Sequence, residues 1–224
     1  MASARSKVVV SWSSGKDSAY TLHRLRLQPQ FEVVGLLTTV TRDFDRVSMH
    51  GVREELLRQQ AAAAGLPLRI VEIPSPCPNE VYEERMRAEV AHLRDEGVSH
   101  VAFGDLFLAD VRAYRETRLA GSGLAPLFPL WGSATSELAR EMIRSGLRTR
   151  VVVIDPQKLP REFAGREFDE EFLRELPPSV DPCGENGEFH TFVTAGPMFS
   201  HPLSVSVGPT VERDGFVFTD LKPA

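Results

Sequence analysis

The stretch from Lys7 to Ser18, KVVVSWSSGKDS, constrains the fold of this chain more than any other segment. The apolar run from Val8 to Trp12 is typical of a buried parallel strand. The small residues Ser13, Ser14 and Gly15 end that run, and apolar side chains spaced three apart then predict a helix. A strand, a small-residue loop and a helix N-terminus together direct backbone N–H groups at one point, which favours a bound phosphate.

Two charged side chains directly follow this loop. Lys16 can reach a phosphate oxygen, whereas Asp17 would repel phosphate unless a Mg²⁺ ion lies between them. We therefore predict Asp17 as a Mg²⁺ ligand. The predicted nucleotide contacts of this segment are Ser11, Trp12, Ser13, Ser14, Gly15, Lys16, Asp17 and Ser18.

The loop differs from the two commonest phosphate loops. Val10 replaces the first glycine of a Walker loop, Asp17 replaces its metal-binding hydroxyl, and the G-x-G-x-x-G dinucleotide pattern does not fit either. The loop resembles S-G-G-K-D-S of the N-type ATP pyrophosphatases, which break ATP between the α and β phosphates and transfer AMP. Ser14 replaces the first glycine, and we expect it to keep a negative φ. The alternative is an ordinary turn with a surface lysine.

Composition places the chain among ordinary globular proteins. Its 224 residues allow one large domain or two small ones, and 42% are hydrophobic and 25% charged. A net charge of −5 predicts no broad nucleic-acid surface. There is no apolar run of membrane-spanning length, no signal-peptide pattern and no C-x-x-C pair, since Cys77 and Cys183 lie far apart. These features favour a cytoplasmic location.

The order of the predicted elements indicates an α/β fold. Strands alternate with helices of ten or more residues, which predicts a parallel sheet with strands at 8–12, 32–39, 68–73, 101–103 and 150–154. An acidic helix is predicted over 163–176. Three further strands follow at 191–194, 203–211 and 216–219, with a hairpin turn at Asp214-Gly215. The alternating Val and Phe residues of this end predict a homodimer.

We predict two domains, an ATP-binding domain over residues 1–120 and a smaller α/β domain over residues 121–224. The boundary between them falls anywhere from Gly104 to Trp131.

Three polar, glycine-bearing stretches are further candidates for a site. They are Met49-His50-Gly51, Gly104-Asp105 with Tyr114 and Arg115 following, and Cys183 to Thr191, CGENGEFHT. Ligands of open parallel sheets bind beyond the carboxyl ends of the strands, and Gly104-Asp105 follows such an end. Each stretch taken alone is also compatible with a plain turn or a solvated hairpin loop.

Taken together, these stretches resemble the diphthine–ammonia ligase family, a branch of the N-type ATP pyrophosphatases. The resemblance spans the chain in the family's order and rests on Ser13 to Ser18, His50-Gly51, Gly104-Asp105-Leu106-Phe107, Tyr114-Arg115-Glu116, Pro129-Leu130-Trp131 and Gly184 to Phe189. It implies a Rossmann-like ATP domain followed by a small α/β domain. It also implies a reaction in which ATP and ammonia convert a carboxylate, on a modified histidine of elongation factor 2, into an amide.

The resemblance assigns roles to particular residues. It implies ATP, Mg²⁺, ammonia and a carboxylate acceptor, either a small molecule or a modified protein side chain. Catalytic roles fall on Lys16, Asp17, Glu185 and Glu188, and nucleotide contacts extend to His50, Gly104 and Asp105. Contacts to the acceptor or ammonia fall on Tyr114, Arg115, Glu185, Asn186, Glu188, His190 and Thr191.

Three other functions stay open. The alanine- and arginine-rich composition favours a bacterial source, in which a corrinoid or another small-molecule carboxylate would be the acceptor. A tRNA-modifying ATP pyrophosphatase uses the same loop, but a cysteine pair and a basic face are not evident. An ATP-binding sensor without turnover would not need the Lys16-Asp17 pair.

Overall fold

A computed structural model describes residues 5–41, 46–47 and 51–224. The first part of the chain alternates strands and helices in the order β1 (Ser6–Ser11), α1 (Lys16–Arg26), β2 (Phe31–Thr41), β3 (Arg46–Val47), α2 (Glu54–Ala64), β4 (Leu68–Ile73), α3 (Asn79–Asp95), β5 (His100–Ala102), α4 (Ala109–Leu119) and β6 (Ala125–Leu127). The second part contains α5 (Thr135–Arg144), β7 (Arg148–Ile154), a 3₁₀ turn (Arg161–Phe163), α6 (Glu170–Glu175), β8 (Phe189–Ala195), β9 (Val205–Arg213) and β10 (Phe216–Pro223).

The first sheet has five parallel strands in the order β4-β2-β1-β5-β6, and β3 pairs antiparallel with the end of β2. β1 is central, because Val8 aligns with Val33 of β2 on one side and with His100 of β5 on the other. This topology confirms the predicted Rossmann-like α/β fold. The chain turns in opposite directions after β1 and after β5, so the crevice beyond their carboxyl ends is the expected ligand site.

The second sheet is antiparallel and has the order β8-β7-β10-β9. The prediction that 150–154 forms the fifth parallel strand is therefore wrong, because β7 pairs with β8 and β10 and the short β6 completes the first sheet. The four residues from Val151 to Ile154 are each at most 2% exposed. Both faces of β7 are covered, so its sequence lacks the alternation that distinguishes an antiparallel strand.

Helix α1 lies in a core that the two sheets share. One apolar cluster joins Val10 of β1 and Leu22 of α1 to Val152 of β7 and Phe192 of β8. A second cluster, which includes Leu37 of β2, fills the opposite face of the first sheet under α3 and α4. The shared core brings β8 beside the loop that follows β1.

The C-terminal end forms the predicted hairpin. Asp214 and Gly215 have φ values of 52° and 81°, as the tight turn between β9 and β10 requires. β9 lies at the sheet edge, and its Val207 and Val211 are 50% and 52% exposed. The predicted helix over 163–176 is restricted to the 3₁₀ turn and α6.

The division at residues 120 and 121 stays a prediction, and β6 lies just after it in the first sheet. None of the helices within the described ranges combines the length and hydropathy needed to cross a bilayer.

Candidate active site

The loop between β1 and α1 is closed by its own hydroxyl groups. Ser18 Oγ donates to the carbonyl of Gly15 at 3.0 Å and accepts from the backbone N–H of Ser13 at 3.3 Å. The backbone N–H of Trp12 donates to the carbonyl of Leu37 at 2.7 Å, which continues the β1–β2 pairing into the loop. The loop is therefore held at both ends, and the first turn of α1 follows it at once.

Ser14 has a φ of 72°, so the expectation of a negative φ is wrong. The left-handed region costs a residue with a Cβ about 1–2 kcal/mol. The surroundings offset this cost, because the carbonyl of Ser14 accepts hydrogen bonds from Val193 N at 3.0 Å and Gln60 Nε2 at 3.1 Å. Ser14 is fully buried and its Oγ has no hydrogen-bond partner among the described residues.

Lys16 is buried at the mouth of α1. Its Nζ lies 2.8 Å from Asp17 Oδ2, donates to the carbonyl of Cys183, and lies 5.4 Å and 5.8 Å from the ring centroids of Phe189 and Phe168. Burial, the largest single influence, lowers the pKa of Lys16, but Asp17 together with Cys183 and Glu185 raises it above its ordinary value. Lys16 is thus a cation held between both parts of the chain.

Strand β8 forms one wall of the loop. Thr191 Oγ1 accepts a hydrogen bond of 3.0 Å from the backbone N–H of Lys16. A Cβ at Gly15 would lie only 3.2 Å from the carbonyl oxygen of Thr191, so the loop backbone and β8 are in close contact. The second sheet therefore shapes the loop directly.

The end of β5 packs against the same helix terminus. A Cβ at Gly104 would lie 2.9 Å from the carbonyl carbon of Asp17, so only glycine fits there without a shift. Asp105 Oδ2 lies 3.6 Å from Arg115 Nε, and the Arg115 guanidinium lies 4.9 Å from the Phe103 ring centroid. Burial raises the pKa of Asp105, and Arg115 opposes that rise.

The segment from Asp181 to Glu188 closes the site from the second half of the chain. Asp181 Oδ2 accepts from the backbone N–H groups of Cys183 and Glu185 at 3.1 Å and 3.0 Å. Glu188 Oε1 accepts from Asp181 N at 2.9 Å and from Asn186 Nδ2 at 3.2 Å. Glu188 is buried, and its hydrogen bonds with Asp181 and Asn186 stabilise the backbone of the segment.

The pKa values of Glu185 and His190 are strongly shifted from their ordinary values. Glu185 Oε1 accepts from Leu106 N at 2.7 Å, and burial, aided by the Asp17 and Asp105 carboxylates, raises the pKa of Glu185 to about 7. Burial and the nearby charge of Lys16 lower the pKa of His190 to about 4. At neutral pH the site therefore offers a neutral imidazole and a carboxyl group that exchanges its proton readily.

Two cavities share part of their lining and are here called the cleft. The first, here called the loop pocket, has a volume of about 250 Å³ and lies between the loop, Gly104-Asp105 and the 183–191 segment. The second, here called the helix chamber, has a volume of about 850 Å³ and lies under α3 and α4 beyond the ends of β1 and β2. Both are lined by Ser11, Ser13, Phe103, Arg115 and His190.

The structure brings most of the predicted site residues together. The loop pocket is lined by Ser11, Ser13, Gly15, Lys16, Asp17, Ser18, Gly104, Asp105, Arg115, Glu185, His190 and Thr191, and the helix chamber adds Trp12 and Tyr114. Ser14, Asn186 and Glu188 line neither cavity. His50 lies outside the described residues.

Sequence reasoning missed two residues, Gln60 and Asp181, whose hydrogen bonds shape the site. Asp181 precedes Cys183-Gly184 by two residues, and an aspartate in that position commonly accepts a hydrogen bond from a backbone N–H of the turn that follows. The sequence around Gln60 contains no comparable signal. No group of three or more His, Cys, Asp or Glu side chains within the described ranges is arranged to hold a metal ion.

Comparison with known proteins identifies both halves of the chain. Residues 6–124 match the diphthamide synthase N-terminal domain, and residues 134–219 match the diphthamide synthase C-terminal domain. The diphthine–ammonia ligase of Homo sapiens is 28% identical over 242 residues, which cover 96% of this chain and 88% of the human protein. The diphthine–ammonia ligase of Danio rerio is 27% identical over 236 residues, which cover 96% of this chain and 92% of that protein. With both domains matched in order, the chain belongs to the diphthamide synthase family.

Proposed function

We propose that this protein is an ATP-dependent amide ligase that forms AMP and pyrophosphate, activates a carboxylate as its adenylate and transfers ammonia to it. One observation carries the proposal: Lys16, Asp17, Asp105 and Glu185 line one pocket at the N-terminus of α1. The relatives named diphthine–ammonia ligases support an amide-forming ligase at the level of the family.

The loop pocket suits the phosphates of ATP. The first N–H groups of α1 have no partner within the helix, and the helix dipole is positive at this end, so both stabilise negative charge. When pyrophosphate departs, negative charge develops on the oxygen that had bridged the α and β phosphates, and Lys16 supplies a fixed positive charge there. To bind a phosphate oxygen, the Lys16 ammonium group must give up its hydrogen bond to the Cys183 carbonyl. Lys16 and Cys183 both line the pocket, so this exchange needs only a small movement of the side chain.

The charges of the pocket also suit a magnesium ion. Asp17 and Asp105 both line it, and Mg²⁺ in phosphate sites takes one or two carboxylates besides the phosphates. We assign these two carboxylates as the residues that would hold Mg²⁺, whose chemistry there is to neutralise the phosphate charge.

Glu185 is the proposed base for ammonia. A carboxylate oxygen of the acceptor attacks the α-phosphorus and displaces pyrophosphate. The ammonia nitrogen then attacks the carbonyl carbon, AMP leaves, and the nitrogen loses a proton. A base with a pKa near 7 takes that proton efficiently. Glu185 has such a pKa, and its carboxyl group lies close enough to Lys16 and Asp17 to feel their charges. His190 is neutral and can orient the acceptor by hydrogen bonding.

The helix chamber is large enough for the remainder of the substrates. Its walls are mostly apolar, with Tyr82 and Met86 from α3 and Tyr114 and Arg115 from α4. We assign Tyr114 and Arg115 to the acceptor, since an arginine at the junction of both cavities can pair with its carboxylate. The diphthine carboxylate and the side-chain carboxylate of a corrinoid are the two acceptors to be tested.

The experiment follows the oxygen atoms. Purified protein is incubated with ATP, Mg²⁺, ammonium and a candidate acceptor labelled with ¹⁸O in its carboxylate, and the products are identified by mass spectrometry. An acyl-adenylate route yields AMP that carries one ¹⁸O, together with pyrophosphate and the amide.

Two outcomes would contradict the proposal. ADP and phosphate as the sole nucleotide products would exclude the pyrophosphatase class. ATP binding without turnover for any acceptor, tRNA included, would favour a nucleotide sensor.

A further inference from the structure

A buried glutamine joins three elements at the loop. Gln60 projects from α2 and is fully buried. Its Oε1 accepts from the indole Nε1 of Trp12 at 2.9 Å, and its Nε2 donates to the carbonyls of Ser14 at 3.1 Å and Val193 at 2.7 Å. These contacts connect α2, the loop after β1 and β8 of the second sheet through a single amide.

The chemistry of the three partners fixes the orientation of the amide. An indole N–H can only donate, so the amide oxygen must face Trp12. The two carbonyls can only accept, so both N–H groups of the amide are used. Neither an apolar residue nor a carboxylate could meet all three partners.

Gln60 lines neither the loop pocket nor the helix chamber, so it does not contact a ligand bound in the cleft. It acts instead on Ser14, whose carbonyl is turned toward Gln60 and Val193 in the left-handed conformation. Rotation of that peptide would also redirect the next N–H of the loop, that of Gly15, which donates to Ser13 Oγ at 3.4 Å, and would disturb the hydroxyl contacts that close the loop.

We infer that Gln60 is a positioning residue that holds the phosphate loop in its left-handed conformation at Ser14 and ties that conformation to the second sheet. The inference rests on the proposed function only in that ATP is the ligand of the loop.

Substitution of Gln60 tests this role. Gln60→Leu removes all three hydrogen bonds, and Gln60→Glu keeps the acceptor for Trp12 but places a carboxylate against two carbonyls. Both variants should bind Mg·ATP at least about tenfold more weakly in titration calorimetry, the loss expected when buried polar partners are left unmatched. Gln59→Leu and Gln59→Glu, on the neighbouring position of α2, should match the wild type.

A pH series separates positioning from general stability. A protonated glutamic acid regains one donor, so the affinity of Gln60→Glu relative to the wild type should rise as the pH falls from 8 to 6. The relative affinity of Gln60→Leu should stay constant. Circular dichroism at each pH confirms that the measured protein is folded. Wild-type affinity in both folded Gln60 variants would overturn the inference.

A milder variant covers the case in which Gln60→Leu and Gln60→Glu do not fold. Gln60→Asn keeps the amide but shortens the side chain by one methylene, so it cannot reach all three partners, and it should weaken Mg·ATP binding about threefold to tenfold. An unchanged affinity in that variant would also overturn the inference. Failure of the wild type itself to bind Mg·ATP would instead contradict the proposed function.

Discussion

The backbone N–H of Lys16 donates a 3.0 Å hydrogen bond to the side-chain oxygen of Thr191, although 175 positions separate the two residues. The N–H groups of the first helical turn have no partner within the helix. In α1, the second sheet supplies a partner for one of these N–H groups. This hydrogen bond fixes the direction of the loop that precedes the helix.

Thr191→Val should weaken Mg·ATP binding. Valine has the shape of threonine but leaves the buried Lys16 N–H without its acceptor. The unpaired donor destabilises this arrangement of the loop by about 1–3 kcal/mol, so the loop is no longer held in the form that binds ATP. Titration calorimetry measures the affinity, and Thr191→Ser, which keeps the hydroxyl, serves as the control. Equal affinities in the Val and Ser variants would show that the hydrogen bond is dispensable.

Lys16→Ala should slow AMP formation about 10²–10³-fold, in line with the loss of one preorganised donor to the leaving group. The measurement is the initial rate of AMP release at saturating ATP. Lys222→Ala, which removes an exposed lysine on β10, should leave the rate unchanged. A normal rate in Lys16→Ala would mean that the buried cation only holds the Cys183 carbonyl and Asp17 in place.

Glu185 should produce an acid limb in the pH profile of amide formation. As a base it works only when ionised, and its pKa of about 7 places the midpoint of the limb there. Glu185→Gln should lower the rate and remove that limb. If the variant retains the same limb, another group is the base.

The raised pKa of Glu185 also makes the free energy of unfolding depend on pH. A carboxyl group whose pKa is raised from 4.5 to about 7 on folding contributes stability below pH 4.5, and this contribution is lost as the pH rises through 7. Denaturant unfolding of the wild type and Glu185→Gln at pH 5 and pH 8 measures the difference, and the variant should lose less stability over that interval.

Asp17→Asn should weaken the response to Mg²⁺ more than the binding of ATP. An amide oxygen is a poorer ligand for a hard cation than a carboxylate. The Mg²⁺ concentration for half-maximal AMP formation should rise severalfold at fixed ATP, while Asp95→Asn on the surface should behave as the wild type. Superimposable Mg²⁺ curves would rule out a metal role for Asp17.

We expect a homodimer that uses the exposed edge strand β9. Light scattering should then give about twice the chain mass of 24.9 kDa at micromolar concentration. Val211→Asp places a charge on the exposed apolar surface and should yield the monomer. A monomeric wild type would contradict this expectation.

The parts of the fold that were predicted correctly have local causes. The apolar run before Ser13 and the helical spacing after Gly15 place β1, the loop and α1 without reference to the rest of the chain. Asp214-Gly215 predicts its hairpin because the turn type selects those residues.

The parts that were not predicted depend on distant contacts. β6 is three residues long and contains a proline, so it has no measurable periodicity. Ser14 is left-handed because Gln60 and Val193 hold its carbonyl, and neither is near it in sequence. Sequence periodicity reports which face of an element is apolar, but it carries no information on which remote carbonyl a buried amide will meet.

The wall that β8 supplies to the loop has a consequence for biosynthesis. A nascent chain that has emerged only as far as β6 already contains the whole motif from Ser13 to Ser18, but it lacks Thr191 and Val193. Such long-range contacts form late, because the intervening chain must first be ordered. The nucleotide site should therefore become competent only after the final strands leave the ribosome, so an unfinished chain would neither trap ATP nor hydrolyse it.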